Sequence, residues 1–496
     1  SVVRVLQTHG AMVALEAQLR PCALPRRQCF RRYRTASAHR PRRCTPAAAA
    51  ESPTSAPSRF VQWLQENGLP EQGVRLETLQ RDGAPLDTVV ASRPALPGDV
   101  VLRVPDRLVV TLDRIFHSAS LAELLTTSKL SELACLTLYL AYEKKRGTAS
   151  FWHPFIKELD RLRGKGQQGA RSPILWEPWQ VEQYLAGSPL VAQVNERMKG
   201  IDREYAELDT VWFMAGSLFN QYPYDIPTEQ FTPEVFRQAF AAVQSCVVHL
   251  QGVPLSQRFA LVPLGPPLLT YSSTASAMLR YDPTSREVQL AADRAYRPGE
   301  PVLAWCGPQP NSRLLLNYGI VDEANPYDRL PLEAIIPASD PLYSLKRGRL
   351  AEQGGGLATQ QLFQLSRGAT PLPAPLFPFL RLALARTPRD VWAVEFGPGA
   401  GPLDGGSEAR ALGTLRTRLA ARLARYPAPV AGGEGDATPD RDPETNARRA
   451  AAARLVGIEQ QILRAALAQI EALPFGQRDT QGGEDPGAGA PALILD

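Results

Sequence analysis

Trp305 to Val321 reads WCGPQPNSRLLLNYGIV, and the reading of this stretch decides the fold. Asn311 stands directly before SRLLL, where asparagine is among the best helix N-caps; a role at a site is the other reading. Trp305 is most simply a core side chain. Cys306 reads either as a reactive thiol or, as is commoner, as a small buried hydrophobe. Tyr318 reads equally as a core tyrosine holding a hairpin and as the lining of a site.

Upstream, Arg297 to Trp305 (RPGEPVLAW) is a turn followed by a strand, and Phe259 to Leu264 and Val288 to Leu290 have strand character. Before them the pattern is helical: Leu130 to Lys145 has apolar residues at helical spacing and lysines in its last turn. Val181 to Leu208 and Pro233 to Leu250 behave alike. Further upstream, Val89 to Val104 (VVASRPALPGDVVLRV) predicts a hairpin about a Pro-Gly turn, and Leu108 to Leu112 another strand. Phe60 to Leu64 opens a short amphipathic helix that Gly68 ends. Downstream of Pro337, Ala409 to Tyr426 and Thr445 to Leu473 are helical, the second with an apolar stripe at Leu455, Ile458, Ile462, Ala466, Ile470 and Leu473. A β region, a long helical insertion and a β region again is not the regular alternation of wound α/β folds.

Composition narrows the function classes. The chain has 496 residues, enough for two or three domains, with 44% hydrophobic and 21% charged residues. Its formal net charge of +5 conceals an asymmetry, because residues 1–50 hold ten arginines against the single acid Glu16 and so carry +9. The remainder is left at −4, which gives no footprint for nucleic-acid binding. No apolar run reaches membrane-span length. Cys135, Cys246 and Cys306 are scattered through the body and the five histidines lack ligand spacing, so neither a disulfide framework nor a metal site is expected. The Arg-rich, acid-poor leader reads as an organelle transit peptide or as a basic arm.

Five segments together resemble the plastid SET-domain family typified by the Rubisco large-subunit lysine methyltransferase. The opening stretch resembles that family's closing motif at Gly307, Asn311, Leu314 to Leu316, Tyr318 and Gly319. LSELACLTLYLAYEKKRGTASFWHPFIKE (130–158) is similar to its helical insert, and AGSPL within 184–208 to its G-[ST]-P-L stretch. AADRAYRPGEPV (291–302) and RLARYPAPV (422–430) complete the likeness, which spans about residues 60–475.

The resemblance implies an α+β chain: a SET-type β-rich domain over 58–336 with a helical insertion at about 113–255, then an all-α substrate-binding-like domain over 337–476. It implies a plastid transit peptide over 1–57, a stromal location, a disordered tail over 477–496, and a protein client bound by the insert and the C-terminal domain. It implies S-adenosylmethionine as cofactor and methyl transfer to a lysine amine, a reaction governed by in-line positioning in a dry channel. The catalytic positions are then Cys306 and Tyr318, and the cofactor positions Asn311, Leu269, Thr270, Cys246 and Gly83. Four of these regions depart from the family pattern. Cys306 replaces the channel tyrosine, Leu269 and Thr270 replace an Asn-His pair, and Cys246 replaces an arginine. The loop RDGAPLDTVVAS keeps only Gly83 of a glycine-rich cofactor loop. The scaffold is kept and the pocket is not, so the expectation is a client-binding SET protein with impaired catalysis. An active lysine methyltransferase with a rebuilt pocket is the alternative.

Overall fold

The computed structural model describes residues 58–81, 84–116, 130–164, 172–219, 232–353, 358–397, 399–427, 443–475 and 493–495. The leader, Gly83 and most of the tail lie outside the described residues. Arg59 to Asp496 form one compact unit.

That unit opens with α1 (Arg59–Glu66), which buries Phe60, Trp63 and Leu64. Strands β1 (Val74–Arg81) and β2 (Ala84–Ala91) pair antiparallel, Val74 opposite Ala91. β3 (Val100–Pro105) does not pair with β2, so the hairpin expected across Val89 to Val104 is absent. The Pro97-Gly98 turn is real, with Asp99 N–H donating to Leu96 O at 3.0 Å. A turn signal is local, whereas the partner of a strand is chosen by what its buried face can pack against. β4 shrinks to Val110–Thr111, after which α2 (Leu112–Phe116) takes over the run read as a strand.

The insertion consists of α3 (Glu132–Arg146), α4 (His153–Gly164), α5 (Pro178–Tyr184), α6 (Leu190–Phe219) and α7 (Pro233–Cys246). The starts of α3 and α7 carry legible caps. The Ser131 hydroxyl accepts from Ala134 N–H at 3.2 Å, and the Thr232 hydroxyl accepts from Val235 N–H at 3.3 Å with Pro233 in the first turn. Each such cap stabilises its helix by about 1 kcal/mol.

The chain returns to short strands: β5 (Val247–His249), β6 (Phe259–Leu261), β7 (Thr270–Ser272), β8 (Arg280–Asp282), β9 (Glu287–Ala291) and β10 (Leu303–Trp305). β9 runs antiparallel to β3 and β8, turning Val288 and Leu290 inward, and β10 runs parallel to β7. Val101, Leu102 and Val104 share one apolar core with Val302 and Ala304, and with Leu136, Leu138 and Phe236 of the insertion. The two β regions therefore close on each other, with the insertion packed on the same core.

After α8 (Asn311–Tyr318) come β11 (Arg329–Ile335), α9 (Tyr343–Glu352), β12 (Gln360–Ser366), α10 (Leu376–Ala383), α11 (Pro388–Ala393), α12 (Gly405–Ala424) and α13 (Pro443–Ala472). The expected helical C-terminal domain is present in its helices, and the structure adds a sheet in the order β12, β11, β13. β13 is Ile494–Leu495, within the tail expected to be disordered. Leu493 and Leu495 turn into a second apolar core and Ile494 turns out, a period-two pattern too short to register in a Gly-rich setting. Of the stripe read here, Leu455, Ile458, Ile462, Ala466 and Ile470 are buried on α13, while Leu473 lies just past its end and is half-buried against the second core. Ala451, Ala452 and Leu455 belong to the first core, and Val456, Ile458 and Ile462 to the second.

The insertion meets the C-terminal helices closely at Gly187. A Cβ there would lie 2.9 Å from the backbone of Arg425 and Tyr426, and its φ of +81° suits glycine alone. Beside this contact the buried Glu459 carboxylate accepts from the Tyr426 hydroxyl at 3.0 Å.

Candidate functional site

Helix α8, the core of the opening motif, buries Leu314, Leu315 and Leu316. It ends at Gly319, whose φ of +69° lets its N–H reach back to Leu314 O and Leu315 O. Asn311 is not its cap. Pro310 holds the N-cap position without a side-chain bond, and Asn311 is the first helical residue. The Asp328 carboxylate performs the capping from outside, accepting the Asn311 backbone N–H at 2.8 Å. The Asn311 side chain donates to Asp322 O at 2.8 Å and to the Asp328 carboxylate, and accepts from Asp322 N–H at 2.8 Å. Both amide hydrogens are thus engaged within the fold, and Asn311 cross-links α8 to the returning segment 322–328. Burial pushes the Asp328 carboxyl up, with the Asn311 N–H groups opposing the shift.

The parallel pairing of β7 with β10 sets Tyr271 opposite Ala304 and Ser272 opposite Trp305. This register brings Tyr271 against a small cluster of Cys306, Leu314 and Tyr318. The Tyr271 and Tyr318 rings lie 4.9 Å apart at 56°. Burial first, then the neighbouring Tyr318, Cys306 and Cys246, push the Tyr271 phenol well above its usual range. Three sequence-expected positions, Cys246, Cys306 and Tyr318, therefore gather around a fourth residue that the sequence did not single out. An aromatic closing LVPLGPPLLTY was the available signal, but it carries no periodicity of its own.

The chemistry of this cluster is that of protonated, apolar-packed groups. Burial pushes the Cys306 thiol up to about 11, and Asp322 adds to the shift. Burial likewise raises the Cys246 thiol to about 12, against a bond from Ser245 whose Oγ lies 3.6 Å from the sulfur. At neutral pH both sulfurs remain thiols, which are poor nucleophiles, so the reactive-thiol reading of Cys306 is not supported. The Tyr318 phenol is raised by burial too, with the Gln309 side chain bonding it. Gln309 also donates to Cys306 O at 2.7 Å, tying the motif's two ends together.

The remaining cofactor positions have been taken into the fold. Leu269 is fully buried in the first core, its N–H donating to Gly265 O at 3.1 Å. The Thr270 hydroxyl lies 3.1 Å from that of Thr88, which also donates to Leu268 O at 3.0 Å. The loop between β6 and β7 folds tightly on itself. Leu264 is left-handed at φ +64°, and a Cβ on Gly265 would meet Val262 O at 2.7 Å. Gly83 lies outside the described residues. S-adenosylmethionine presents a carboxylate, an ammonium and an adenine. At the described positions that should receive them stand a core leucine, a hydroxyl already paired and a buried thiol, none of them a cation. These residues do not fit the cofactor. Among the described residues there is also no group of three His, Cys, Asp or Glu side chains placed to hold a metal, and no helix long and apolar enough to cross a membrane.

Residues 337–463 match the family model described as Rubisco LSMT substrate-binding. The chain is 24% identical over 331 residues to the actin-histidine N-methyltransferase of Canis lupus familiaris, covering 65% of this chain and 52% of that protein. It is 25% identical over 339 residues to SET domain-containing protein 4 of Mus musculus, covering 65% and 73%. It thus spans about half the length of the first relative. The solved structure of Rubisco LSMT bound to AdoMet aligns with a TM-score of 0.63 at 20% identity, over 86% of this chain and 96% of that one. The SET domain of LSMT bound to lysine and AdoHcy aligns at 0.61 and 20%, over 82% and 88%. The closing motif cross-linked through Asn311, the β order split by a helical insertion and the matched residues 337–463 converge: this chain has the fold of Rubisco LSMT, carries the Rubisco LSMT substrate-binding domain over 337–463, and is distantly similar to SET-domain methyltransferases.

Proposed function

We propose that the protein is a client-binding SET-fold protein in which methyl transfer is impaired, and that it holds a protein client through its insertion and C-terminal domain. The observation that carries this reading is the interior use of Leu269, Thr270 and Cys246, which leaves no charged partner at those positions for the cofactor's termini. Each missing charge-assisted bond is worth roughly 1.5–3 kcal/mol, so two weaken cofactor binding by more than about a hundredfold. Titration calorimetry of the whole chain with S-adenosylmethionine should show no binding up to millimolar concentration. Labelled-methyl transfer to plastid extract should be absent from the wild type and from Cys306→Tyr. Micromolar binding together with clear wild-type transfer would overturn the reading. It would favour the active alternative, for which the Tyr271 phenol beside Cys306 supplies the hydroxyl that the motif lacks.

We further propose that the +9 leader directs the chain to the plastid stroma and is removed between about Arg43 and Ser58. The mature N-terminus, sequenced from the protein's own cells, should fall in that window. A mature protein that still carries Met12 or Val13 ends this part of the reading.

A further inference from the structure

Three guanidinium groups converge on α8 beside the Cys306–Tyr318 cluster. Arg329, at the start of β11, donates to Pro308 O at 3.5 Å, next to the Gln309 that bonds Tyr318. Arg313 projects from the first turn of α8, exposed, with no side-chain hydrogen bond or ion pair among the described residues. Arg197, on α6, bonds the Gln244 side chain, whose amide in turn donates to Leu316 O at 3.0 Å at the far end of α8. Burial lowers both Arg197 and Arg329, and in each the next cause is the charge of Arg313. Of the neighbouring carboxylates, Glu204 accepts from Ser131 and partly offsets the charge of Arg197, whereas Asp328 holds Asn311 and Asp322 holds Ser273, so Arg313 and Arg329 carry the uncompensated charge of the face. Mutually repelling cations on a body that carries −4 overall form a local reversal of sign, and such a face attracts an anion.

We propose that this arginine face docks an acidic segment of the client polypeptide beside the Cys306–Tyr318 cluster. The inference rests on the client-binding reading above and supplies its charge rule. The face follows a helix of eight residues, about 12 Å long, whereas alternate side chains of an extended peptide fall about 7 Å apart. Two carboxylates two residues apart therefore reach separate arginines, which a single small anion does not. Planar guanidinium groups suit carboxylates in paired hydrogen bonds.

The test is fluorescence anisotropy of the full chain with a labelled nonapeptide of alternating Glu and Ala around one central Lys, against its Gln-for-Glu counterpart. The acidic peptide should bind about tenfold tighter or more, and lose that margin as salt is added. Arg313→Gln, at an exposed position, should remove most of the margin, while Arg389→Gln, at the exposed start of α11, leaves it unchanged. Equal binding of the two peptides, or an Arg313→Gln chain that keeps the full margin, overturns the proposal. Displacement by inorganic phosphate at concentrations where added chloride has no effect assigns the face to a small anion and also overturns it. The assay contains no S-adenosylmethionine, so a positive calorimetric result would end the impaired-transfer reading and leave this one standing.

Discussion

A Lys346→Met chain should unfold roughly 3–5 kcal/mol more easily than the wild type, while Lys346→Met combined with Asp340→Asn should recover most of the loss. Lys346 and Asp340 side chains are 0% and 1% exposed, so this ion pair is entirely interior. The ammonium donates to the Asp340 carboxylate at 2.7 Å and to Ala383 O at 2.8 Å, joining the start of the C-terminal region to the end of α10. The other carboxylate oxygen accepts from Leu342 N–H at 2.8 Å and shapes the entry to α9. Methionine fills the space of the lysine stem but strands a buried carboxylate, and an uncompensated interior charge dominates the balance. Asparagine in place of Asp340 removes that charge and still accepts from Leu342. Urea midpoints of the three chains decide the matter, and a double variant as unstable as the single one would show that packing, not charge, governs the site.

The second large effect depends on pH. Burial pushes Glu459 up from 4.5 to about 7, with Ser188, Tyr426 and Arg422 opposing the shift and Asp328 adding to it. Below about 4.5 the carboxyl is protonated in both folded and unfolded chains, and the folded state bears no penalty. Between about 4.5 and 7 the unfolded chain releases its proton while the folded chain retains it, so this group's contribution to stability falls as pH rises and is fully lost above 7. Glu459→Gln keeps an oxygen to accept from Tyr426 and has nothing to ionise. Relative to wild type it should be neutral near pH 4 and more stable by up to about 3 kcal/mol near pH 8. A stability difference between the two chains that stays constant from pH 4 to pH 8 would falsify this account.

Legibility followed the range of the physics involved. The helices α3, α7 and α13 were readable because a 3.6-residue period is written in neighbouring residues, and α3 and α7 carry a Ser or Thr cap as well. The β2–β3 hairpin was misread for the same reason, since Pro97-Gly98 is written locally and the β3–β9 pairing, nearly two hundred positions apart, is not. At the site, the substitutions at Leu269, Thr270, Cys246 and Cys306 were visible as residue types. Their consequences were not, because Thr88 as the partner of Thr270 and Tyr271 as the neighbour of Cys306 follow from sheet register. For Asn311 the sequence left a cap and a site role open, because cap preference is local, whereas its actual partners Asp322 and Asp328 lie 11 and 17 residues on.

Helix α13 has a mechanical meaning beyond its packing. Its 30 residues make a rod about 45 Å long, anchored in one core by Ala451 and Ala452 and in the other by Ile458 through Ile470. A rod clamped in two bodies transmits torque. A load applied to the C-terminal region is therefore passed along the helix to the far clamp as a twist or a translation. There Arg448 bonds Gln180 of the insertion at 3.1 Å, so the strain continues into the helices that support the closing motif. The two cores share one axle, and the stiffness of the molecule is set by the weaker of its two bearings.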